Sequence, residues 1–559
     1  MKSYSVQAAV TALLCLLSSP FTNAHKQPLV MVKNGTLVGN YIASYQQDVF
    51  LGIPYAQPPV GNLRFQNPKP YNKKFKSRDA TKYSDSCVGY GNSPAWPHTM
   101  SEDCLTLNIV RPSSSSHKKR MRLDKRDSLP VGVWIHGGGW SMDYSANGVY
   151  NLTFMVEEST KMGKPFIAIS MNYRLSFWGF MASQDILDAG LGNLGLKDQR
   201  LALHWIKENI RAFGGDPDRI TIFGESAGGG NVGYHATAFG GRDDHLFRGL
   251  IAQSGADGSH GKNLTNPERI YNGIASAAGC KDAAHKLDCL RKIPFAKLNA
   301  TITEIKPSFA PIVDGDFVQD YPSVLLDKGR FTKLPFLLGT TTDEGTLFAN
   351  PKVANNTGFR SLVKGTGVDD ATTGILMALY PDIDSLGLPA HYGTPTDGSV
   401  GAQYKRTVAF LTDQLFLSWR RLRANAWSKH GIPVYTYLFE SPRDWSSRIG
   451  SGHFSEVGYV FHNLLNLGYA SNTAPFSDNS KEKKDLAQLI TRMWISFIND
   501  LDPNNHNIKG VATWPKYDAA GGYGRSFYLH PNASGPVPDT YRLAGTSYIN
   551  SVAKEQFGR

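Results

Sequence analysis

Short apolar runs recur along the chain and are separated by segments with helical periodicity. The runs span four to eight residues, a length that suits strands buried on both faces, and they occupy positions 131–135, 166–173, 220–223, 249–255 and 336–339. Between two of them, Leu201, Trp205 and Ile206 recur at the spacing of one helix face. Strands and helices that alternate in this way predict an α/β fold with a large, mostly parallel central sheet and helices on both faces.

One apolar run, at residues 220–223, leads into a serine between two glycines. The sequence GESAG follows at 224–228, and residues 229–239 have the pattern of a helix. This order of strand, turn and helix is the context of a G-x-S-x-G nucleophile elbow, whose strained turn lifts the serine hydroxyl clear of the sheet. Glycines flank the serine because a Cβ there would collide where helix and strand cross. A glycine-rich turn with an incidental serine is the alternative, but the flanking elements favour Ser226 as a nucleophile.

A glycine triplet upstream suits a site that binds an oxyanion. The strand at 131–135 runs into HGGG at 136–139. Three glycines leave the backbone unobstructed, so its amides can approach a substrate oxygen closely. The amide of Ala227, at a helix N-terminus, is expected to point to the same oxygen. A flexible glycine turn is the alternative, and the downstream elbow favours the oxyanion hole. Ser254, in a later strand and turn, is expected to hydrogen bond beside the site rather than to act as a second nucleophile.

A serine nucleophile needs a base and a carboxylate that orients the base. In α/β-hydrolases the order along the chain is serine, acid, histidine. Asp343 and Glu344 follow the strand at 336–339, where catalytic groups of open sheets gather, and position alone does not choose between them. His453 lies in a glycine-containing loop that suits a base, whereas His462 falls within a segment, 454–465, that is predicted to be helical. The other downstream histidines are His391, His430, His506 and His530.

The first 24 residues have the pattern of a secretory signal peptide. Lys2 precedes an apolar stretch at 8–17, and small residues suited to cleavage end at Ala24. No later stretch approaches the ~20 apolar residues of a membrane span. We therefore expect a secreted protein, without an integral membrane span, whose residues 25–559 form a single domain.

The cysteines and the glycosylation sequons agree with export. Cys15 leaves with the signal peptide, and the remaining four cysteines allow three pairings, of which the local one, Cys87 with Cys104 and Cys280 with Cys289, is the simplest. The spacings lack the C-x-x-C pairs of a zinc site, so no metal is predicted. Six N-x-[ST] sequons are glycosylation candidates, of which we expect some but not all to be modified. They are at Asn34, Asn151, Asn263, Asn299, Asn355 and Asn532.

The chain is basic, with a formal net charge of +12 and a pI near 9.2. The densest basic run, HKKRMRLDKR at 117–126, follows four serines and lacks the interleaved aromatic residues that stack on nucleic-acid bases. A solvated surface loop explains this run, and export argues against a nucleic-acid partner.

Six ordered segments together resemble the type-B carboxylesterase/lipase family, which includes cholinesterases and some fungal lipases. The segments are FLGIPYAQPPVGNLRF at 50–65, SEDCLTLN at 101–108, WIHGGGW at 134–140, NYRLSFWGF at 172–180, GNLGLKDQRLALHWIKENIRAFGGDP at 192–217 and GESAGGG at 224–230. The resemblance is dense from about residue 28 to 255 and sparser beyond. It implies the α/β-hydrolase fold, with cap insertions between core strands, and a carboxylic ester hydrolase that needs no cofactor.

The resemblance also assigns roles to individual residues. It implies that Glu344 is the acid, that the neighbouring Asp343 is structural, and that His453 is the base. The oxyanion donors would be the backbone amides of Gly138, Gly139 and Ala227. The family pairs Cys87 with Cys104 and Cys280 with Cys289, and it implies a buried salt bridge at the positions of Glu102 and Arg174.

Only 16 residues separate Cys87 from Cys104, the place where lipases of the family carry a long amphipathic lid. We therefore predict a simple esterase that acts on a small-molecule ester without strong interfacial activation. An esterase or acyltransferase of one specialised metabolite and a triglyceride lipase are the alternatives. A non-catalytic adhesion protein on the same scaffold is a remoter one, because Ser226, Glu344 and His453 are all present. Both a monomer and a homodimer are compatible with the sequence.

Overall fold

The computed structural model describes residues 27–91, 98–113, 128–255, 261–305, 307–383, 398–442 and 448–559. The predicted signal peptide, the basic run at 117–126 and His391 lie outside these ranges. The strands of the described residues, β1 to β16, are Leu29–Val32, Gly35–Val38, Asn40–Ile42, Gln47–Pro54, Ser77–Asp79, Ser86–Cys87, Met100–Ser101, Thr106–Pro112, Leu129–Ile135, Ile167–Met171, Gly215–Glu225, Gly249–Gln253, Phe336–Thr341, Val434–Phe439, Arg525–Leu529 and Gly535–Pro538.

Helices connect these strands and cover the sheet that they form. The α-helices of the described residues, α1 to α17, are Leu152–Lys161, Ser176–Phe180, Gln184–Asp188, Leu194–Asn209, Ala227–Gly241, Thr265–Ala277, Lys286–Lys292, Phe295–Ile305, Pro322–Asp327, Asn356–Gly365, Asp370–Leu379, Tyr404–Thr412, Ser418–Lys429, Val457–Val460, Lys481–Asp500, Leu543–Ser551 and Ala553–Phe557. A π-helical turn, Asp413–Leu417, joins α12 to α13.

Eleven of the described strands form one central sheet in the order β16-β15-β14-β13-β12-β11-β9-β10-β8-β4-β3. The strands from β10 to β15 in this order are parallel, and antiparallel strands complete both edges. The carboxyl ends of the parallel strands therefore meet along one edge, which is where an open α/β sheet gathers its functional groups. The predicted α/β-hydrolase fold with a mostly parallel sheet is confirmed.

Side chains alternate between two separate cores, one on each face of the sheet. On β9, Val133 and Ile135 belong to the core that α5 covers, whereas Trp134 belongs to the core that α15 covers. Because successive side chains of a strand point to opposite faces, a strand covered on both sides must be apolar throughout. This is why the sequence shows continuous apolar runs instead of alternating ones.

A third, smaller core lies between helices inserted around β13 and β14. It includes Phe359 of α10, Phe410 of α12 and Ile549 of α16. Of these helices, α10 and α12 lie between β13 and β14 and are cap elements of the kind expected between core strands, whereas α16 follows the last strand.

Two disulfides join Cys87 to Cys104 and Cys280 to Cys289. The salt bridge that the resemblance implied between Glu102 and Arg174 is wrong. Glu102 pairs with Arg64 at 2.6 Å, and Arg174 pairs with Asp198 at 2.6 Å. Arg64, Glu102 and Arg174 line the same small cavity, so Glu102 and Arg174 lie near each other although each pairs with another residue.

The segment at 454–465 is not the continuous helix that its pattern predicts. Only Val457–Val460 is helical, and positive φ angles of 78° at Phe454 and 52° at His462 interrupt the backbone on either side. The side chain of Asn463 bonds to the backbone of Leu467 in both directions, through its amide and its oxygen. Such local side-chain bonds compete with helix formation.

Candidate active site

The GESAG turn joins β11 to α5 and holds its serine in a strained conformation. Ser226 has φ 56° and ψ −125°, in a region that residues with a side chain rarely adopt. A Cβ on Gly224 would lie 2.6 Å from the Ile135 carbonyl oxygen, and one on Gly228 would lie 2.1 Å from the same atom. Both glycines are therefore required, because the end of β9 presses against the turn. The Ser226 amide donates to the Gln253 carbonyl at 2.9 Å, which ties the turn to β12.

Three side chains from the ends of different strands meet at this turn. His453 Nε2 lies 2.8 Å from Ser226 Oγ, and His453 Nδ1 lies 2.5 Å from Glu344 Oε2. Glu344 begins a short 3₁₀ turn after β13, and His453 lies in the loop that follows β14. The structure thus brings together the serine, the acid and the base that the sequence predicted. His462 is absent from this group; burial lowers the pKa of its imidazole, and the charges that act on it are those of Glu158, Lys161, Glu157 and Arg492.

The second oxygen of Glu344 has donors of its own. Its Oε1 accepts hydrogen bonds from the Ser254 hydroxyl at 2.5 Å and from the Thr341 amide at 2.8 Å. The carboxylate is therefore held from one side, with its Oε2 directed at His453. Ser254 occupies the hydrogen-bonding position that the sequence predicted for it.

The glycine loop lies beside the elbow. A Cβ on Gly137 would be 3.0 Å from the Ser226 Cβ, and the loop beyond turns through positive φ angles of 88° at Gly138 and 61° at Gly139. Within the described residues, no protein acceptor pairs with the amides of Gly138, Gly139 or Ala227. Amides that are unpaired next to a serine hydroxyl can stabilise negative charge on a bound oxygen.

A carboxyl group that the sequence analysis missed lies against the imidazole. Glu225 is fully buried, and its Oε1 lies 3.2 Å from His453 Nε2. Neither of its oxygens has a hydrogen-bond donor among the described residues, so this approach is close but not aligned for a hydrogen bond. Burial, followed by the charges of Glu456, Glu344 and Asp143, raises the pKa of Glu225 well above its usual range. Its adjacency to Ser226 was the only signal in the sequence.

Glu456 extends this buried acidic cluster. Its Oε1 accepts a hydrogen bond from Gln253 Nε2 at 3.2 Å, whereas its Oε2 has no donor among the described residues. Burial and the charge of Glu344 raise the pKa of Glu456 to about 7. The acids around the imidazole therefore differ in the number of donors that they receive.

Two aromatic rings, one exposed and one buried, pack against the imidazole. The Phe348 and Phe416 rings lie with their centroids 5.3 Å and 4.7 Å from that of His453. Phe416 belongs to the π-helical turn, and Phe348 is 44% exposed beside the more exposed Leu347. An apolar group of a substrate can therefore lie next to the base without displacing its hydrogen bonds.

Two other kinds of feature are absent from the part of the chain that the structure describes. There, no three His, Cys, Asp or Glu side chains are grouped to hold a metal ion. No described helix is long and apolar enough to cross a membrane.

Comparison with known proteins gives consistent matches over most of the chain. The carboxylesterase family matches residues 26–534. Lipase 4 of Diutina rugosa is 33% identical, over 95% of this chain and 97% of its own length. The secreted triacylglycerol lipase LIP1 of Gibberella zeae is 32% identical, over 87% and 84%. The crystal structure of Aspergillus niger EstA superimposes with a TM-score of 0.82 at 27% identity, covering 95% of this chain and 99% of EstA.

Proposed function

The chain belongs to the carboxylesterase family and is a carboxylic ester hydrolase, and from this premise we propose that it is a secreted serine esterase with a Ser226–His453–Glu344 triad. The observation that carries the proposal is the pair of short contacts from one imidazole, 2.8 Å to the serine oxygen and 2.5 Å to the carboxylate. This arrangement can move a proton from a hydroxyl to a leaving group.

The reaction follows from these contacts. His453 Nε2 takes the hydroxyl proton as Ser226 Oγ bonds to the ester carbonyl carbon, and Glu344 stabilises the imidazolium that forms. The carbonyl oxygen becomes an oxyanion, which the amides of Gly138, Gly139 and Ala227 stabilise. As the bond from the carbonyl carbon to the alcohol oxygen breaks, the imidazolium gives its proton to the departing alcohol. Water then attacks the acyl-enzyme with His453 as base, and the acid is released as Ser226 recovers its proton.

We further propose that small soluble esters are the preferred substrates. The 16 residues between Cys87 and Cys104 are too few for an amphipathic helix and its hinges. The exposed Phe348, whose ring packs against that of His453, can contact one arm of an ester. Lipase action on aggregated triglyceride is the second candidate, because relatives of 31–33% identity bear the name lipase. Initial rates on p-nitrophenyl butyrate and tributyrin, measured across their solubility limits, separate the two. A smooth saturation curve supports the esterase, and a sharp rise above the limit supports the lipase.

Secretion forms part of the proposal. It is supported by the signal-like pattern of residues 1–24, which lie outside the described residues, by the two disulfides, and by relatives that are named secreted lipases. Disulfides of this kind are typical of exported proteins.

The triad is tested by replacing its nucleophile. We expect Ser226→Ala to remove hydrolysis of p-nitrophenyl butyrate while the thermal unfolding midpoint changes little, because the small side chain leaves the turn intact. An irreversible organophosphate, diethyl p-nitrophenyl phosphate, should label the unmodified chain at Ser226 and leave the variant unlabelled in mass spectrometry. Hydrolysis that persists in the variant would refute the assignment.

A further inference from the structure

A second carboxylate, next to the triad acid Glu344, links the two loops that carry the acid and the base. Asp343 Oδ2 accepts a hydrogen bond from the Ser451 amide at 2.8 Å, and the Asp343 amide donates to the Ser451 carbonyl at 3.1 Å. Ser451 lies two residues before His453, and Asp343 directly precedes Glu344. Through its side chain and its backbone, Asp343, next to the triad acid, is therefore joined to the backbone two residues before the triad base.

The contact between these loops is close along its whole length. Asp343 and Gly452 form a parallel β-bridge, and a Cβ on Gly452 would lie 2.6 Å from Thr346 Oγ1. The same Thr346 hydroxyl donates to the Asp343 carbonyl at 2.9 Å. Only a glycine lets the base loop approach the acid turn so closely, so the loops are packed as one unit.

The base loop is held on its other side as well. The Ser451 hydroxyl accepts a hydrogen bond from the Ser441 amide at 2.7 Å, at the end of β14. Ser451 is thus fixed between the turn after β13 and the end of β14. Removing the Asp343 carboxylate would break one of the two hydrogen bonds between Ser451 and the turn after β13, and would leave the buried Ser451 amide without a partner.

We propose that Asp343 is a positioning residue for the hydrolytic reaction. Its carboxylate fixes the loop that carries His453 on the turn that carries Glu344, and thereby sets the distances from His453 to Glu344 and to Ser226. This inference rests on the proposed triad and assigns to Asp343 a role beyond the structural one that the family resemblance implied. Asp343 touches neither the nucleophile nor the imidazole, so it acts through the backbone of Ser451.

The surroundings of Asp343 indicate that its oxygen matters more than its charge. Its side chain is 1% exposed, Thr342 Oγ1 donates to the same Oδ2 at 2.8 Å, and Oδ1 has no donor among the described residues. Burial raises the pKa of Asp343 to about 7, with the hydrogen bonds from Ser451 and Thr342 opposing the rise. A carboxyl that is protonated on Oδ1 still accepts through Oδ2, so the link persists in either protonation state.

Charged and titratable groups surround this carboxyl on several elements. Glu440, after β14, raises its pKa, and Arg542, before α16, lowers it. Three tyrosines have pKa values that the charge of Asp343 raises in turn. They are Tyr404, Tyr528 and Tyr541.

The test compares variants that keep or remove the acceptor. Asp343→Asn retains an oxygen for the Ser451 amide, whereas Asp343→Ala and the bulkier Asp343→Leu remove it. Thr342→Val is the matched control, because it removes a hydrogen bond to the same carboxylate without touching Ser451. For each, kcat and KM on p-nitrophenyl butyrate, the second-order rate of labelling by diethyl p-nitrophenyl phosphate, and the thermal midpoint are measured per folded molecule.

We expect Asp343→Ala to lower both kcat and the labelling rate by about 10–100-fold with KM unchanged within about twofold, since misplacement by about 1 Å can cost 10²-fold in rate. Asp343→Asn should retain kcat within about threefold. Thr342→Val should lower the thermal midpoint without the loss of kcat. A residue with only a structural role would lower the midpoint and the yield and leave both rates per folded molecule unchanged.

Several results would overturn the inference. They are an Asp343→Ala variant that reacts within about twofold of the unmodified chain, a Thr342→Val variant as slow as Asp343→Ala, or an Asp343→Asn variant that loses more than about tenfold in kcat. If the alanine variant does not fold, Asp343→Leu replaces it, and reaction within about twofold of the unmodified chain again overturns the inference. The tenfold limit on the loss of kcat in Asp343→Asn applies whether or not either of these variants folds. If the unmodified chain is not labelled at Ser226, the proposed function fails, which is a separate outcome.

Discussion

Replacing the triad acid Glu344 by glutamine should strongly lower kcat, and the hydrogen bonds around its carboxylate give the reason. In Glu344→Gln the Thr341 amide, 2.8 Å from Oε1, can only donate, so the new side-chain oxygen must occupy the Oε1 position. The amide nitrogen then faces His453 Nδ1, 2.5 Å from the Oε2 position, and donates to it. An Nδ1 that accepts requires the proton of the imidazole to be on Nε2. In that tautomer His453 cannot take the proton of Ser226.

The size of the loss follows from the bonds that must break before reaction. In the tautomer that can take the serine proton, the N–H at His453 Nδ1 faces the NH₂ of the new glutamine, so neither can accept from the other. If the glutamine amide flips instead, its NH₂ faces the N–H of Thr341, and that hydrogen bond is lost. Either route forfeits about two buried hydrogen bonds of ~1–3 kcal/mol each, or about 2–6 kcal/mol together. At ~1.4 kcal/mol for each tenfold change, kcat should fall by about 30-fold to about 10⁴-fold. The equivalent exchange in Ser-His-Asp proteases lowers kcat by about 10⁴.

The assay is steady-state hydrolysis of p-nitrophenyl butyrate by protein whose folded fraction is measured by circular dichroism. Glu158→Gln is the matched control, since it makes the same exchange at a buried glutamate that pairs with Arg492, away from Ser226. The control should lose stability but keep kcat within about threefold. If Glu344→Gln loses less than about tenfold in kcat, the Thr341 amide does not select the tautomer and the reasoning is wrong.

Three further outcomes are expected. Burial raises the pKa of Asp343 and of Glu456 to about 7, so the folded chain holds protons that the unfolded chain has released. The calorimetric unfolding midpoint should therefore fall as the pH rises from about 5 to about 8. Glu456→Gln should reduce that fall, and a midpoint that rises with pH would contradict the reasoning. Replacing Cys280 and Cys289 by serine opens a loop with a sequence separation of 9, and should lower the free energy of unfolding in urea by about 2–3 kcal/mol. An unchanged urea midpoint would show that the disulfide does not constrain this loop. Glycopeptide mass spectrometry should find Asn355 and Asn532, which are exposed, occupied but Asn34 unmodified, because the Asn34 amide is buried and donates to the Tyr71 and Lys73 carbonyls.

The parts of the site that lie in local motifs could be predicted from the sequence. Ser226, the glycine loop and the buried strands are encoded by contiguous patterns, since an elbow needs its glycines and a buried strand needs its apolar run. Position alone left Asp343 and Glu344 undecided, because both follow the same strand. The structure separates them by their partners, Ser451 for the first and His453 for the second.

What could not be predicted depends on partners distant in the chain. Arg64 and Asp198 are the ionic partners of Glu102 and Arg174, and nothing in the spacing of these residues selects the pairs. The buried Glu225 raises the same difficulty. Its position beside Ser226 is visible in the sequence, but its 3.2 Å approach to His453 is created by a loop more than two hundred residues away.

The uneven supply of donors explains how one acid among several can serve the base. Glu344 receives the Ser254 hydroxyl, the Thr341 amide and the imidazole, Glu456 receives one amide from Gln253, and Glu225 receives no hydrogen bond from the described residues. Hydrogen bonds to a carboxylate stabilise its charge, whereas burial without them opposes ionisation. The hydrogen bonds that hold a carboxylate against the base are therefore gathered on Glu344, whereas burial and the neighbouring charges raise the pKa of Glu225. A positive charge on the imidazole, 3.2 Å from Glu225 Oε1, acts in the opposite direction, so we expect formation of the imidazolium to lower the pKa of Glu225 while Glu344 keeps its hydrogen bond to His453 Nδ1.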